Sequence, residues 1–221
     1  VQGGKYFSKS ALFSEETEER IESLIPLAPL HNQAHLTCYR AFKEVLPNCP
    51  NIAVFDTAFH QSMEAQDYVF AIPHEIAEKY DIRRYGAHGT SHKYLSEEGL
   101  KYLPGIEHPR IISCHIGSGA SITAIKDGKC VATSMGLTPL GGIMMCTRTG
   151  DMDPSVFNYV TSVTGKSAEE VYQMFNKKSG FLGLCGYSDS RDVLAGANKG
   201  DERCILANTL FVRRIADFIG Q

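Results

Sequence analysis

Apolar, β-rich runs alternate along this chain with stretches whose apolar residues recur at helical spacing. Residues 51–56 form a short apolar run that ends at an acid, and Arg110–Ile116 forms a second run. Residues 121–126 and 129–134 flank Asp127-Gly128, and a two-residue Asp-Gly turn between β-rich runs is a strong hairpin signal. The pattern predicts a short buried strand, a second strand and then a β-hairpin.

Helical patterns fill much of the remainder. The predicted helices are residues 33–45, 91–102, 167–178 and 201–219. Ser91 suits the N-cap of the second helix, and Ser167 with Glu170 three residues later forms a capping box at the third. The last helix has apolar residues at steps of three or four, as on one buried face: Cys204, Ala207, Phe211, Ile215 and Phe218. Strands that alternate with helices, with a hairpin among them, predict an α/β fold rather than a purely parallel sheet.

Composition and charge narrow the function classes. The 221 residues are 43% hydrophobic and carry a net charge of −3 with both signs interspersed, which argues against nucleic acid as a partner. No apolar run approaches the roughly 20 residues that span a membrane. The chain starts at Val1 with neither a methionine nor a signal peptide, so we expect it to begin inside a longer protein.

The cysteines indicate a reducing environment. There are seven, scattered and without a Cys-x-x-Cys pair: Cys38, Cys49, Cys114, Cys130, Cys146, Cys185 and Cys204. These spacings do not suit a zinc site. We expect reduced, mostly buried thiols in a cytoplasmic protein.

The densest chemistry lies in residues 83–92, where two arginines precede a Gly-Ala-His-Gly stretch and a second histidine. Small residues let backbone amides approach a ligand, and arginine with imidazole suits negative oxygens. The alternatives are a glycine turn with locally bonded histidines and a metal pair of His88 and His92. A helix that starts near Ser91 need not place both histidines on one face, so the pattern favours an anion site with a catalytic imidazole.

A second candidate is the stretch of residues 147–154, in which Arg148 stands just before a turn. Asp153 suits an N-cap and Pro154 the first turn of a helix. A capped helix explains the acids, Asp151 included, but it does not explain Arg148. A guanidinium at that place can bind a carboxylate or a phosphate bidentately.

Three weaker signals follow, and the first two each leave two interpretations open. His115 to Gly119 joins a strand to Gly-x-Gly, which can cradle phosphate or simply form a tight turn. Asp56 at the end of an apolar run is either a ligand group or a turn former. His31 after Pro-Leu is by default a helix-start residue.

Taken in order, these segments resemble the acetate kinase family, which includes the propionate kinases. The matching stretches are APLHN (residues 28–32), VFDTAFHQ (54–61), RRYG-HGTSH (83–92), HIG-GAS (115–121), TSMGLTPL (133–140), TR-GDMDP (147–154) and KKSGFLGL-G-S-D-RD (177–192). They cover nearly the whole chain, and several independent motifs in the right order make chance a poor explanation.

This resemblance implies a member of the acetate and sugar kinase/Hsc70/actin superfamily, an α/β fold of ribonuclease-H-like domains with a central cleft. Residues 1–58 would be the C-terminal part of the N-terminal domain, and residues 59–221 the N-terminal part of the second. The implied reaction is reversible phosphoryl transfer between ATP and acetate or propionate, giving an acyl phosphate and ADP. Mg²⁺ would be the cofactor, and the protein would be a cytoplasmic homodimer that serves acetyl-CoA formation.

The resemblance also implies roles for particular residues. Arg148 would bind the carboxylate and the transferring phosphoryl group, and His88 would donate to its equatorial oxygens in the transition state. Asp56 would lie beside the transferring group or its metal. The substrate would also be lined by Val1, Leu30, His31, Ala87 and Pro139, and the nucleotide phosphates by His115, Ile116, Gly117, Ser118 and Gly119.

Departures from the family pattern sharpen these expectations. Ala87 stands where the family usually has phenylalanine in the pocket for the substrate methyl group, so we expect longer acids such as propionate or butyrate to be tolerated. Further departures, which bear on donor binding and activity, are Gln2, Ser118, Ala132, Gly141 and Cys146. The family's N-terminal phosphate loop and C-terminal Gly-Ile-Gly-Glu-Asn segment would lie outside these residues. We therefore expect a central fragment with little kinase activity of its own.

Three alternatives accompany this interpretation. One is a butyrate kinase-like enzyme, and another is a non-catalytic homologue that only binds ligand. The third is a metal hydrolase built on His88 and His92.

Overall fold

A computed structural model describes residues 1–221, apart from the side chains of Pro29 and Leu30. The chain divides into two compact units. The first unit comprises Val1–Ser113 and Thr123–Thr138, and the second comprises Cys114–Ile122 and Pro139–Gln221. The predicted boundary near residue 58 separates ribonuclease-H-like domains, whereas these units are defined by contacts within the chain. The predicted domain boundary therefore stays a prediction.

The first unit begins with a two-stranded sheet and a pair of helices. Its elements are β1 (Ala11–Leu12), α1 (Glu15–Ser23), α2 (Pro29–Val45), β2 (Ile52–Ala53), α3 (Ala65–Tyr68), α4 (His74–Lys79) and α5 (Gly89–Leu100), with 3₁₀ turns at Ile25–Leu27 and Ala58–Ser62. Strands β1 and β2 are antiparallel. Ile21, Leu36 and Ala53 pack in the core, where the rings of Phe7 and Phe55 stack 4.0 Å apart.

The predicted strand over residues 51–56 is wrong in its extent. The pairing with β1 covers Ile52 and Ala53, and beside it the carbonyl of Asn51 accepts the N–H of Phe13 at 2.9 Å. Val54 is half exposed, and the N–H of Asp56 turns to the carbonyl of Val1 at 3.0 Å. The amino group of Val1 also lies 3.4 Å from the carbonyl oxygen of Val54. The acid therefore follows two short pairings, with β1 and with Val1, rather than one full buried strand.

Strand pairing elsewhere agrees with the sequence pattern. A three-stranded sheet is ordered β3 (Arg110–Ile116), β4 (Ala120–Lys126) and β5 (Lys129–Thr133), with β4 and β5 antiparallel. Asp127 and Gly128 both have positive φ, 52° and 75°, as a type I′ hairpin turn requires. The predicted hairpin is confirmed. The division between the two units falls within β3 and β4.

The second unit is helical beyond residue 153. Its helices are α6 (Pro154–Thr164), α7 (Ala168–Lys177), α8 (Gly180–Cys185), α9 (Ser190–Asn198) and α10 (Glu202–Ile219). Asp153 caps α6 with Pro154 in its first turn, and Ser167 forms the predicted capping box with Glu170 on α7. The core packs Phe181 and Val193 against α10, of which Cys204 and Ala207 are fully buried.

Two further predictions need correction. Helix α2 starts at residue 29 rather than 33, since a proline suits the first helical turn. The cysteines are all free thiols, but the expectation that most are buried is wrong: three are buried, two intermediate and two exposed. Among the residues described, the helices include none that is both long and apolar enough to cross a membrane.

Candidate active site

Asp56 accepts hydrogen bonds from the backbone at the start of helix α5. Its Oδ2 accepts the N–H of His88 at 2.6 Å, and its Oδ1 lies 3.4 Å from the N–H of Thr90. The carbonyl of Asp56 accepts the N–H of Gly89 at 2.7 Å. The first N–H groups of a helix have no partner within the helix, and a carboxylate suits the positive end of its dipole. Asp56 therefore holds the turn that carries His88.

The predicted N-cap at Ser91 is wrong for this reason. Helix α5 begins at Gly89, and His88 is its N-cap with φ 59° and ψ 23°. A left-handed backbone is uncommon outside glycine, although histidine tolerates it better than most residues. Because Asp56 satisfies the first amides from a distance of 32 residues, the helix starts two residues before Ser91.

The glycines beside His88 are required by close backbone approach. A Cβ at Gly86, where φ is +71°, would lie 2.6 Å from Cδ2 of His60 and 2.8 Å from Cγ2 of Thr133. A Cβ at Gly89 would collide with the carbonyl oxygen of Asp56. The glycine-rich sequence thus builds the turn itself.

Two buried histidines lie behind this turn. The His60 ring has Nε2 2.9 Å from the carbonyl oxygen of Ala87 and Nδ1 3.2 Å from Sγ of Cys130. The Nδ1 of His92 lies 2.6 Å from Oγ of Ser113, and the two rings meet edge to face at 5.7 Å. Sequence reasoning missed His60; its place in an apolar run directly after Asp56 was the available signal.

The alternative of a metal pair at His88 and His92 stays a prediction, and the position of His92 does not favour it. Within the described part of the chain, no group of three or more His, Cys, Asp or Glu side chains is arranged to hold a metal. The ring of His92 is buried against Ser113 and His60. His92 has a supporting position in the helix rather than that of a ligand.

The arginines before the turn make structural contacts, and their part in an anion-handling loop stays a prediction. Nη1 of Arg84 donates to the carbonyls of Thr133, Ser134 and Met135 at 3.0–3.1 Å. The guanidinium of Arg83 stacks 3.5 Å from the ring centre of Tyr68. Arg84 thus holds the end of β5 and the two residues that follow it, and Arg83 packs on α3.

Arg148 lies in the second unit, on a loop that α8 holds in place. The N–H groups of Ser179, Phe181 and Leu182 donate to the carbonyls of Thr147, Met145 and Cys146 at 3.0–3.1 Å. Gly180 has φ +60°, and a Cβ there would lie 2.8 Å from the carbonyl oxygen of Arg148 and collide with that of Met145. The loop is therefore closely packed.

The Arg148 guanidinium is half-buried and remains cationic. Its Nη1 donates to the carbonyl of Pro139 at 3.2 Å and lies 3.8 Å from Sδ of Met145. Burial lowers the pKa of Arg148, yet a guanidinium stays protonated at neutral pH. This contact brings together two residues that the resemblance places at the substrate, Arg148 and Pro139.

The loop after β3 forms a tight turn. The N–H of Gly117 donates to the carbonyl of Gly119 at 3.0 Å, and the carbonyl of Ser118 accepts the N–H of Cys146 at 3.3 Å. Ser118 thereby contacts the residues that precede Arg148. His115 is half-buried, and Ile116 is exposed. A role for this loop in nucleotide binding stays a prediction.

The remaining predicted residues lie in the first unit. Val1 packs on the Phe7–Phe55 core, and its carbonyl accepts the N–H of Asp56. Ala87 is buried, and His31 is an exposed residue in the first turn of α2. The side chain of Leu30 lies outside the described part of the chain. The first unit thus brings Val1, Ala87 and His88 together around Asp56.

Comparison with known proteins identifies the family of this chain. A model described as the Acetokinase family matches residues 1–221. The chain belongs to that family. It is 52% identical over 222 residues to the acetate kinase of Anoxybacillus flavithermus and 50% identical to that of Bacillus subtilis strain 168, covering 100% of this chain. The chain spans about half the length of these curated relatives, 56% in both cases.

Solved structures agree with the family assignment and confirm the predicted fold class. A propionate kinase from Francisella tularensis matches with a TM-score of 0.96 and 49% identity, over 100% of this chain and 57% of its own. Porphyromonas gingivalis acetate kinase gives 0.93 and 43%, over 100% and 56% of the two chains. The chain therefore has the acetate kinase fold, in the acetate and sugar kinase/Hsc70/actin superfamily.

Proposed function

We propose that this chain carries carboxylate- and phosphoryl-binding residues of a kinase that transfers a phosphoryl group reversibly between ATP and acetate or propionate. The observation that carries the proposal is the turn at His88, held by the carboxylate of Asp56 at 2.6 Å, in a chain of the acetokinase family. The products would be an acyl phosphate and ADP.

His88 is the proposed transition-state donor. Phosphoryl transfer spreads charge over the equatorial oxygens of the moving group, so catalysis depends on positioning and on preorganised donors. The left-handed backbone of His88 and the hydrogen bond from its N–H to Asp56 fix the position from which the side chain extends. Such a donor costs little reorganisation when the charge develops.

Arg148 is the proposed binding residue for the carboxylate and for the transferring phosphoryl group. A half-buried guanidinium on a tightly packed loop loses less side-chain freedom on binding than an exposed one. Its planar fork suits two oxygens of one anion. Pro139, Val1, Leu30, His31 and Ala87 would complete the substrate contacts.

The nucleotide and Mg²⁺ belong to the same proposal. Magnesium in phosphoryl transfer is held by one or two carboxylates together with substrate phosphates, so the single carboxylate of Asp56 suits the donor set. A carboxylate has about four lone-pair sites, and backbone N–H groups use two of those on Asp56. When bound, the ion would neutralise phosphate charge. His115 to Gly119 would approach the nucleotide phosphates.

Longer acids are a second candidate for the substrate. Ala87 has one side-chain carbon where the family usually has a phenyl ring, and a structural match at 49% identity is named a propionate kinase. We infer that propionate or butyrate is accepted more readily than in an enzyme with phenylalanine at this position.

The proposed setting is a cytoplasmic homodimer that serves acetyl-CoA formation. Free thiols at all seven cysteines fit a reducing compartment. Exposed apolar side chains on α6 and α10, such as Tyr159 and Leu206, offer surface for self-association. Light scattering on the purified protein would measure the oligomeric state.

Hydroxylamine trapping tests the reaction. With ATP, Mg²⁺ and acetate or propionate we expect little acyl hydroxamate from these 221 residues alone and much more from a full-length enzyme that contains them. In that enzyme His88→Ala or Arg148→Ala should reduce the yield about 100- to 1000-fold. Arg191→Ala is the matched control, because Arg191 is an exposed arginine of the second unit that pairs with Asp189.

Calorimetry with acetyl phosphate tests binding apart from turnover. Affinity should fall in Arg148→Ala and persist in His88→Ala, since His88 acts mainly on the transition state. The proposed function would be overturned if the wild-type chain bound no acetyl phosphate and a full-length enzyme containing it formed no hydroxamate.

A further inference from the structure

One peptide group in the first unit is held at both of its polar ends. The carbonyl of Ala87 lies 2.9 Å from Nε2 of His60, and the N–H of His88 donates to Oδ2 of Asp56 at 2.6 Å. These two atoms belong to the single peptide bond that joins Ala87 to His88. A peptide fixed at its oxygen and at its hydrogen cannot rotate without breaking one of the bonds.

The contact defines the tautomer of His60. A carbonyl oxygen only accepts, so Nε2 must carry the hydrogen and donate it to Ala87. In a neutral ring Nδ1 is then an acceptor, and the thiol of Cys130 at 3.2 Å can donate to it. The carbonyl of Ala132, 3.6 Å from the same sulfur, is a longer alternative.

Burial keeps both partners neutral. It lowers the pKa of His60, against the hydrogen bond to Ala87 and the charge of Asp56, which raise it. It also raises the pKa of the Cys130 thiol to about 12. At neutral pH the arrangement is therefore a thiol, a neutral imidazole and a carbonyl in series.

The ring of His60 has no room to turn. It is 1% exposed, a Cβ at Gly86 would lie 2.6 Å from its Cδ2, and the ring of His92 meets it edge to face. Ser62 donates to the carbonyl of Cys130 at 2.8 Å, which ties the 3₁₀ turn carrying His60 to strand β5. The donor to Ala87 thus comes from a rigid support.

We propose that His60 is a positioning residue, which holds the Ala87–His88 peptide against Asp56 and so aims the imidazole of His88. The idea rests on the proposed function of His88, but its geometry can be tested separately. Misplacing a catalytic group by about 1 Å can cost on the order of 100-fold in rate. A left-handed non-glycine residue such as His88 depends on outside contacts to keep its conformation.

The wild-type protein gives the first test. Long-range proton–nitrogen NMR of the histidine rings should show His60 protonated at Nε2 and neutral at pH 7. A ring protonated at Nδ1 alone could not donate to Ala87 and would overturn the proposal without any variant.

Two amide variants give the second test. The side-chain nitrogen of His60→Gln can occupy the place of Nε2 and keep the donor, whereas that of His60→Asn reaches only the place of Nδ1. We expect the Asn variant to lose about 10- to 100-fold in kcat with little change in the KM for the carboxylate. Amide hydrogen exchange at His88 should quicken in the Asn variant and stay close to wild type in the Gln variant.

The outcomes separate this inference from the proposed function. If the wild-type protein makes no acyl phosphate but His60→Asn still frees the His88 amide, the function fails and the positioning stands. Equal losses in the Gln and Asn variants would show that ring bulk matters rather than the donor, and would overturn it. The inference would also be overturned if neither variant changed kcat or the amide hydrogen exchange at His88.

Discussion

The carboxylate of Asp56 and the backbone of His88 form a short hydrogen bond, 2.6 Å from Oδ2 to the amide nitrogen. The residues are 32 positions apart, and the bond places an acid at the first turn of a helix whose N-cap has a left-handed backbone. The contact joins helix capping to the proposed chemistry, because the capped residue is itself the candidate catalytic group.

Asp56→Ala should damage both stability and turnover. Loss of an N-cap acceptor costs about 1 kcal/mol in the free energy of unfolding. Release of the His88 turn should lower kcat/KM by about 100-fold. Asp201→Ala is the control, because Asp201 caps α10 through the N–H groups of Arg203 and Cys204. Urea unfolding should show similar costs for both variants, and a control that lost as much turnover would contradict the prediction.

Gly180→Ala should disturb the loop that carries Arg148. The new Cβ would meet the carbonyl oxygens of Met145 and Arg148, so the loop must move or the helix must shift. Crowding of this kind costs about 1–3 kcal/mol beyond the strain of a positive φ.

Gly186→Ala is the matched control for Gly180→Ala. Gly186 also has a positive φ, +84°, but a Cβ there has nothing within 4 Å. Denaturant midpoints should separate the two variants, and acetyl phosphate affinity should fall only in Gly180→Ala. Equal destabilisation of the two variants would mean that the loop carrying Arg148 adjusts to the added Cβ without loss of stability, which would contradict the prediction.

Acid should destabilise the first unit through His60. Burial holds the pKa of His60 below its ordinary value of 6.5, so the folded state binds a proton less readily than the unfolded chain. The corresponding stability is fully present above about pH 6.5 and is lost as the pH falls below it. The melting temperature should therefore drop as the pH falls below about 6.5.

His60→Gln should flatten that part of the pH profile, because glutamine does not titrate. His74→Gln removes a histidine whose side chain is 80% exposed and should leave the slope unchanged. Parallel thermal melts of the three proteins measure the effect. An acid slope that His60→Gln leaves intact would show that other groups cause it.

Ala87 should set the preference for acyl length. We expect kcat/KM for propionate or butyrate to compare favourably with that for acetate, and Ala87→Phe to shift the ratio towards acetate. One methylene in an apolar pocket is worth about 10- to 200-fold. Measuring all three acids with both proteins gives the ratios. A clear preference for acetate that Ala87→Phe does not change would contradict a role of Ala87 in acyl-length preference.

The features that sequence alone predicted are those whose cause is local. The capping box of Ser167 with Glu170, the Asp127-Gly128 turn and the cap at Asp153 each depend on residues within a few positions. Their backbone geometry follows from side chains and φ values that neighbours already determine. The ordered motifs likewise sufficed to identify the family.

Contacts between distant residues decided the rest. Helix α5 starts at residue 89 because Asp56 satisfies its first amides, and local propensity at Ser91 could not reveal this. The role of Arg84 was equally hidden from local sequence, because its guanidinium donates to carbonyls 49 to 51 residues away in sequence. His60 is separated from Cys130 by 70 residues and from Ala87 by 27. Sequence determined which chemistry the chain contains; tertiary structure decided which groups face one another, because a hydrogen bond depends on distance in space.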